Sequence, residues 1–353
     1  MGRREILPFL HRLQEECGGT IPFERFMQEA LYHPDFGYYT ANIRDVGTRG
    51  DFSTSATLGD ELGTAVAAWI ENRIREFGWD RGWKRIPVIE VGAGNGSLAK
   101  AVLRKLNWKL RWRLDYMIHE TSLVLRHRQK SMLRWQGVRW ITSPSKALIE
   151  SKGEALIFSN ELVDAFPCRI FEKYRDGWDE IGIRISDTGS LSETRFSPIT
   201  PFPDLDHFSP LPEGQRVEVH ESYRAWLDEW RPFWKKGELL TVDYGDTFEN
   251  LYSRRASGSI RGYWNHERIT GPQIYARFGK QDLTADVNFS DLMKWGKEFG
   301  WKTISLVTQA EFLDRWLAST SGVVENSKIT PHRQEVHESF KVLEQRPCFE
   351  GVP

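Results

Sequence analysis

The sequence has little cysteine and no long apolar run. Its 353 residues include three cysteines, which lie far apart and do not form the CxxC spacing of a zinc site or a redox pair. This usage argues against a disulfide framework, and we expect no metal site. The longest apolar stretch, residues 62–70, is far shorter than the ~20 residues that a bilayer span requires. We therefore expect no membrane span.

Charge of either sign is also not in excess. The net charge of −1 gives the chain no overall attraction for nucleic acid or anionic membranes. Residues 1–19 carry acids and lack both the apolar core of a secretory signal and the features of a clear transit peptide. We expect an intracellular protein, cytoplasmic if the chain is bacterial and in the mitochondrial matrix if it is eukaryotic. The length allows one large domain or two modest ones.

Short apolar runs alternate with helical patterns from residue 86 onward. This alternation predicts an α/β fold, doubly wound, with a mostly parallel sheet covered by helices. The first two predicted helices, 4–17 and 22–32, form an N-terminal helical extension. The predicted strands are 86–91, 114–120, 154–162 and 237–245, and the predicted helices include 4–17, 22–32, 58–77 and 97–106.

The segment 165–236 differs, because its runs CRIFEKY, WDEIGIRIS and QRVEVH alternate as antiparallel strands do. We interpret it as an inserted antiparallel lobe. Residues 259–272 are predicted to form a long loop, and 301–308 and 339–345 two closing strands. The predicted organisation is N-terminal helices and cofactor lid at 1–57, a cofactor-binding half at 58–164, the lobe at 165–236, and a C-terminal half with a substrate arm at 237–353.

A glycine-rich turn in VIEVGAGNGS follows the first of these strands. Glycines at alternate positions let a backbone pass close to a ligand, and the next helix offers free N–H groups at its start. Glu90, just before the turn, would repel a pyrophosphate but tolerate the sulfonium and ammonium of S-adenosylmethionine. Glu120 ends the next strand, where acidic side chains bind a ribose diol. The alternative is an ordinary strand–helix turn. The glycines are Gly92, Gly94 and Gly96.

With these residues in place, VIEVGAGNGSL resembles the first motif of the class I S-adenosylmethionine-dependent methyltransferases. The segments SNELVDAFPCRIFE, VDYGD and DLTADVNFSDL further resemble the MidA-like family, which includes an arginine methyltransferase that assists complex I assembly. The resemblance implies a seven-stranded class I methyltransferase sheet and S-adenosyl-L-methionine as cofactor. It also implies that the partner is a protein substrate methylated on arginine, with a complex I subunit as a candidate.

The resemblance also assigns residues. The implied catalytic residues are Glu161, Asp164, Asp243 and His266, and the implied cofactor-binding residues are Gly50, Asp51, Thr54, Ser55, Glu90, Gly92, Gly94, Gly96, Glu120 and Asn160. An arginine acceptor is always cationic, and paired carboxylates can bind it and take up its proton. The alternatives are that Glu161 and Asp164 cap a helix start, that Asp243 caps a turn and that His266 is a solvated loop residue.

Other functions stay open at this point. The chain could methylate a small molecule or a nucleic acid, or be a catalytically silent scaffold of the same fold. A stretch rich in tryptophan, lysine and arginine, residues 104–140, would favour nucleic acid. We interpret that stretch as the surface of an amphipathic helix, since the whole chain is not basic, and we find no strong case for nucleic acid.

Overall fold

The structure, a computed structural model, describes residues 3–43, 60–82, 84–197, 211–265, 267–318 and 338–348. These residues form two compact units that interleave along the chain. The first unit contains residues from 3–43, 164–223 and 247–288, and the second contains residues from 60–163, 224–246 and 289–348. The four-part division of the chain inferred from the sequence stays a prediction.

The elements are named here in chain order. The strands are β1 (Ile21–Pro22), β2 (Ile86–Val91), β3 (Leu114–His119), β4 (Arg139–Ile141), β5 (Glu154–Asn160), β6 (Arg169–Tyr174), β7 (Gly177–Ile185), β8 (Leu191–Phe196), β9 (Arg216–Val219), β10 (Lys236–Asp246), β11 (Arg261–Trp264), β12 (Glu267–Ile269), β13 (Asp282–Thr284), β14 (Val287–Asn288), β15 (Trp301–Thr308) and β16 (Phe340–Pro347).

The α-helices are α1 (Arg3–Glu16), α2 (Phe23–Tyr32), α3 (Glu61–Glu76), α4 (Ser97–Lys105), α5 (Trp108–Arg111), α6 (Leu123–Met132), α7 (Pro144–Glu150), α8 (Glu221–Trp230), α9 (Phe248–Tyr252), α10 (Phe289–Glu298) and α11 (Gln309–Ala318). In the part of the chain that the structure describes, none of these helices is long and apolar enough to cross a membrane.

The second unit is built on a sheet whose strands run in the order β15-β16-β10-β5-β2-β3-β4. From β10 to β4 all neighbours are parallel, while β16 pairs antiparallel with both β10 and β15. All six residues of β2 are buried, as expected for a central strand with both faces covered. The predicted mostly parallel sheet, with seven strands along this path, and its two closing strands are confirmed.

Helices α3, α4 and α11 pack together against this sheet. The α3 side chains Val66, Trp69 and Ile70 are fully buried in the same apolar core as Val102 of α4. The helices α3 and α4 approach closely at Gly63, where a side chain would collide with Ala101. This packing fixes α4, and therefore the turn that precedes it.

The first unit holds two antiparallel sheets. One has the order β1-β7-β6-β9 with β8 on β7, and the other is β12-β11-β13. The predicted antiparallel lobe is confirmed, and Ile21 of the N-terminal segment pairs with Ile183 in it. The predicted loop at 259–272 is wrong, because it contains β11 and β12. Its alternation is short and carries charges, so the sequence signal is weak, but pairing with the distant β13 stabilises the strand.

The stretch 104–140 is not the surface of one amphipathic helix, so that interpretation is wrong. It comprises the end of α4, the short α5, β3, α6 and the start of β4. The charged residues are therefore distributed over several short elements, most of which contribute apolar residues of their own to the core.

Candidate functional site

The glycine turn joins β2 to α4. The backbone φ angles of Gly92, Gly94 and Gly96 are 66°, 53° and 88°, in the left-handed region that favours glycine. A Cβ added at Gly92 would lie 2.7 Å from Cδ1 of Leu162, in the turn that follows β5. The backbone conformation therefore favours glycine at all three positions, and at Gly92 the close packing of Leu162 adds to it.

Glu90 occupies the next-to-last position of β2 and is almost fully buried. Its Oε2 accepts a hydrogen bond from the hydroxyl of Tyr116 on the neighbouring strand, at 2.6 Å. Burial, together with the charge of Glu120, raises the pKa of Glu90 to about 7, although the hydrogen bond from Tyr116 lowers it. A positively charged ligand nearby would favour the ionised carboxylate.

Glu120 follows directly after β3. Its Oε1 accepts a hydrogen bond from the backbone N–H of Ser122, and its Oε2 accepts one from the side-chain amide of Gln129, both at 2.9 Å. Burial raises the pKa of Glu120 to about 7 in spite of these donors. A carboxylate offers about four lone-pair positions, so both oxygens can still accept from a ligand.

Gln129 links the glycine turn to Glu120. Its amide nitrogen donates both to Glu120 and to the carbonyl of Gly94, at 2.8 Å to the latter, and its oxygen accepts from the indole of Trp140. Sequence reasoning missed Gln129 and Tyr116. The signal for Gln129 was its place at helical spacing between Leu125 and Leu133, since a polar residue in such an apolar stripe needs a buried partner.

Together these residues fit S-adenosylmethionine better than a dinucleotide. Two carboxylates with raised pKa values, the buried Glu90 and the half-buried Glu120, gain from a cationic ligand and would repel a pyrophosphate. They stand at the carboxyl ends of adjacent parallel strands, where Gly92 donates its N–H to the carbonyl of His119 at 3.0 Å. Ligands of open α/β sheets bind at this edge.

The strand β5 ends at the same edge. The side-chain amide of Asn160 donates to Oε1 of Glu161 at 3.1 Å, and the N–H of Glu161 donates to the carbonyl of Val242 at 2.9 Å. Glu161 has a φ of 52°, an uncommon value for a residue other than glycine. Backbone strain of this kind is concentrated at functional sites. Asn160 and Glu161 remain predicted site residues.

Asp243, on β10, is fully buried and holds the turn after β5. Its Oδ2 accepts from the backbone N–H groups of Leu162 and Val163, at 3.1 and 2.8 Å, and its Oδ1 from the N–H of Tyr244 at 2.9 Å. These are the contacts expected for an acid that caps a turn. The catalytic role of Asp243 stays a prediction. Its contacts favour a role in which Asp243 positions Glu161.

Asp164 belongs to the first unit and is buried there. Its Oδ2 accepts a hydrogen bond from the hydroxyl of Thr284 at 2.7 Å, and burial raises its pKa. Asp282, in the same cluster, accepts from the hydroxyl of Tyr39 at 2.9 Å. Burial and the charge of Asp164 raise the pKa of Asp282 to about 8. That Asp164 and Glu161 serve one acceptor stays a prediction.

Five predicted site residues fall outside the residues that the structure describes. Their assigned roles, including the cofactor lid, stay predictions. They are Gly50, Asp51, Thr54, Ser55 and His266. Within the described ranges, no group of three or more histidine, cysteine or acidic residues is arranged to hold a metal ion.

The region that holds these residues matches a known protein family. A family model described as "Putative S-adenosyl-L-methionine-dependent methyltransferase" matches residues 65–307. The chain belongs to this family. The matched segment contains the glycine turn, Glu90, Glu120 and the turn after β5, so the match to the family includes the candidate site. The predicted resemblance to the MidA-like methyltransferases is confirmed.

Curated relatives agree with this methyltransferase family. The chain is 27% identical over 302 residues to the Drosophila melanogaster "Protein arginine methyltransferase NDUFAF7 homolog, mitochondrial", covering 77% of this chain and 65% of that protein. It is 25% identical over 344 residues to the Danio rerio "Protein arginine methyltransferase NDUFAF7, mitochondrial", covering 84% and 72%. The chain thus spans about two thirds of the length of the curated relatives that it matches.

Solved structures share the fold over nearly the full chain. A crystal structure of a candidate methyl transferase from Burkholderia thailandensis, bound to S-adenosylhomocysteine, has a TM-score of 0.82 at 26% identity. The match covers 99% of this chain and 93% of that one. A native crystal structure of an uncharacterised protein from the same organism has a TM-score of 0.77, also at 26% identity and with the same coverage of both chains. The class I methyltransferase fold expected from the sequence is therefore confirmed.

Proposed function

We propose that this protein is an S-adenosylmethionine-dependent methyltransferase that methylates arginine in a protein substrate, with a respiratory complex I subunit as the candidate. The observation that carries the proposal is the pair of carboxylates that flank the glycine turn, the buried Glu90 and the half-buried Glu120. Gln129 joins that turn to Glu120 by hydrogen bonds to both. The names of the curated relatives support an arginine acceptor. The complex I subunit rests on the family resemblance.

In this proposal the second unit holds the cofactor through its own residues. The glycine turn lets the backbone approach the ligand, Glu120 accepts from the ribose hydroxyls, and Glu90 balances the positive charge. Asn160, whose side-chain amide donates to Glu161, is the residue that we propose binds the amino-acid part. When bound, S-adenosylmethionine supplies a methyl group activated by its sulfonium.

Glu161 is the proposed acceptor-binding carboxylate. A guanidinium is protonated at every working pH, so it needs an acid to dock it and to take its proton as the new nitrogen–carbon bond forms. Asp243 fixes the backbone on the carboxyl side of Glu161 through Leu162 and Val163. The left-handed backbone of Glu161 is therefore held in place instead of relaxing.

The acceptor is tested with a radiolabelled methyl donor. Tritium from S-adenosylmethionine is transferred in cell extract, and the products are separated by hydrolysis and amino-acid analysis. We expect label in methylarginine. Glu161→Gln should cut this transfer by roughly a hundredfold or more, the scale of a lost acid–base group, while S-adenosylhomocysteine still binds with nearly unchanged affinity. Glu150→Gln, at an exposed position ending α7, is the matched control and should transfer normally.

Two results would contradict the proposal. Label that enters only small molecules or nucleic acid would place the acceptor in another class. Binding of S-adenosylhomocysteine without label in any fraction would indicate a silent scaffold. We also propose a compartment, the mitochondrial matrix for a eukaryotic source and the cytoplasm for a bacterial one. The names of the curated relatives, which include the word mitochondrial, support the first.

A further inference from the structure

The edge of the sheet opposite the glycine turn carries exposed tryptophans. Parallel strands β3 and β4 begin at this edge, and the glycine turn stands at the other end of β2. Trp108 and Trp112 precede β3, and Trp135 precedes β4. Their side chains are 66%, 79% and 86% exposed, which is unusual for the residue type with the largest apolar surface. We call these three residues and their neighbours the tryptophan edge.

Contacts within the second unit join these turns into one surface. The side chain of Arg111 hydrogen-bonds to that of Gln136, which connects the turn of Trp112 to the turn of Trp135. Arg85 donates to the carbonyls of Trp112 and Leu114, at 3.3 and 2.8 Å, so the residue before β2 lies on the same surface.

This surface is strongly basic although the chain is not. Residues 100–140 contain eleven lysines and arginines against two acids, while the whole chain has a net charge of −1. Of the two acids, Asp115 is paired with Arg139 at 2.8 Å, and Glu120 stands at the opposite edge. The cations nearest the tryptophans in the chain are Lys109, Arg111, Arg113 and Arg134, and residues 107–113 and 133–138 contain no acid.

Cations also accompany the rings themselves. Nζ of Lys109 lies 5.7 Å from the ring centre of Trp108, and Cζ of Arg134 lies 4.9 Å from that of Trp135. A cation beside one face of an exposed indole orients the ring and leaves area for a second flat group to stack. Alternating indoles and cations are the features by which proteins bind bases and phosphates along a single strand.

We propose that the tryptophan edge binds single-stranded nucleic acid, RNA or DNA. The cations would neutralise phosphates, and the indoles would stack with bases. Among the described residues, the large apolar side chains exposed here are the three tryptophans and Met132. A membrane-inserting face or the centre of a protein interface needs a wider continuous apolar surface. This binding is separate from methyl transfer, because it uses the opposite edge of the sheet.

The test measures binding of short fluorescein-labelled oligouridylate and oligothymidylate to the full chain by fluorescence anisotropy at several salt concentrations. We expect binding that weakens with salt. Trp108→Ala with Trp135→Ala should raise the Kd about tenfold or more. Lys109→Gln with Arg134→Gln should also weaken binding and lower the slope of log Kd against log salt by about 1 to 2.

The matched control is Lys297→Gln with Lys302→Gln, which removes two exposed cations at the β15 end of the sheet and should leave the Kd unchanged. The affinity for S-adenosylhomocysteine is measured in every variant as a check on folding. If a tryptophan substitution abolishes that affinity, Trp112→Ala is used in its place. Absence of binding at low salt, or a Kd unaffected by the tryptophan substitutions, would overturn the proposal. Equal competition by poly-glutamate would also overturn it, and would assign the edge to an acidic protein.

Discussion

The hydroxyl of Tyr116 lies 2.6 Å from Oε2 of Glu90, and both side chains are buried on adjacent parallel strands. A neutral donor therefore stabilises a carboxylate that burial drives toward its protonated form. The charge that Glu90 can offer a cationic cofactor at neutral pH depends on this one hydrogen bond.

Tyr116→Phe removes that donor. The pKa of Glu90 should rise above its present value of about 7, so less of the carboxylate is ionised at neutral pH. We expect the affinity for S-adenosylmethionine, whose sulfonium is the charge that Glu90 would balance, to fall about fivefold near pH 7 and to recover near pH 9, by calorimetry. Tyr174→Phe, in the other unit, is the control and should bind normally. An equal loss at both pH values would mean that Tyr116 acts only through packing.

The wild-type protein should itself bind with a marked pH dependence. Glu90 and Glu120 have pKa values of about 7 and are mostly protonated below it. If one of them must ionise for binding, affinity for S-adenosylhomocysteine should rise about tenfold from about pH 6 to about pH 8. Calorimetry across this range measures the effect. A flat profile would show that neither carboxylate changes its charge when the ligand binds.

Gln129→Leu keeps the volume of the side chain but removes its donors to Gly94 and Glu120. The glycine turn and Glu120 lose their common link, and we expect affinity for S-adenosylhomocysteine to fall about tenfold, the scale of one or two lost hydrogen bonds to a charged group. Gln136→Leu is the control, because Gln136 lies at the tryptophan edge and contacts Arg111. Unchanged affinity in Gln129→Leu would show that the link is not needed.

Asp243→Asn replaces one acceptor oxygen with an amide that faces backbone N–H groups. The turn at Leu162 and Val163 loses part of its support, and we expect the free energy of unfolding to fall by about 1–3 kcal/mol, with slower methyl transfer. Urea unfolding and the tritium assay measure the two effects. Asp228→Asn, which breaks an exposed pair with Arg231, should cost less than about 1 kcal/mol. Normal stability with lost transfer would instead support a catalytic role for Asp243.

Asp282 should make stability depend on pH. Its pKa is about 8 in the folded protein and near 3.8 when unfolded, so only the folded state keeps the proton between these values. Stability should therefore fall as pH rises from about 4 to about 8. Asp282→Asn removes this contribution, and its urea midpoint should fall less over the same range. Asp176→Asn, in an exposed turn, should behave like the wild type. Parallel curves for Asp282→Asn and the wild type would contradict the assignment.

The residues that we propose bind the cofactor could be identified from the sequence because their signals are local. The run from β2 through the glycine turn to α4 is continuous in the chain, and Glu90 and Glu120 each stand at the end of a recognisable strand. The main sheet was also predictable, because short apolar runs alternate with helical patterns. A buried parallel strand is recognisable as an apolar run without knowledge of its neighbours.

Non-local contacts could not be predicted. Asp243 and Val163 are 80 residues apart in sequence, and nothing near either one indicates their hydrogen bond. Strand β11 is defined by its pairing with β13, beyond the reach of a periodicity argument. The helical spacing of Gln129 with Leu125 and Leu133 indicates only that it is buried, and its two acceptors, Gly94 and Glu120, cannot be predicted from that spacing.

The left-handed backbone of Glu161 has a consequence for engineering and for evolution. Glycine would adopt this conformation without the steric cost that a Cβ imposes, so Glu161→Gly would relieve strain at that position. Selection for thermal stability alone would therefore favour Glu161→Gly. Retaining a glutamate here means giving up stability to keep a carboxylate at the end of β5, and a library selected only for heat tolerance should lose it early.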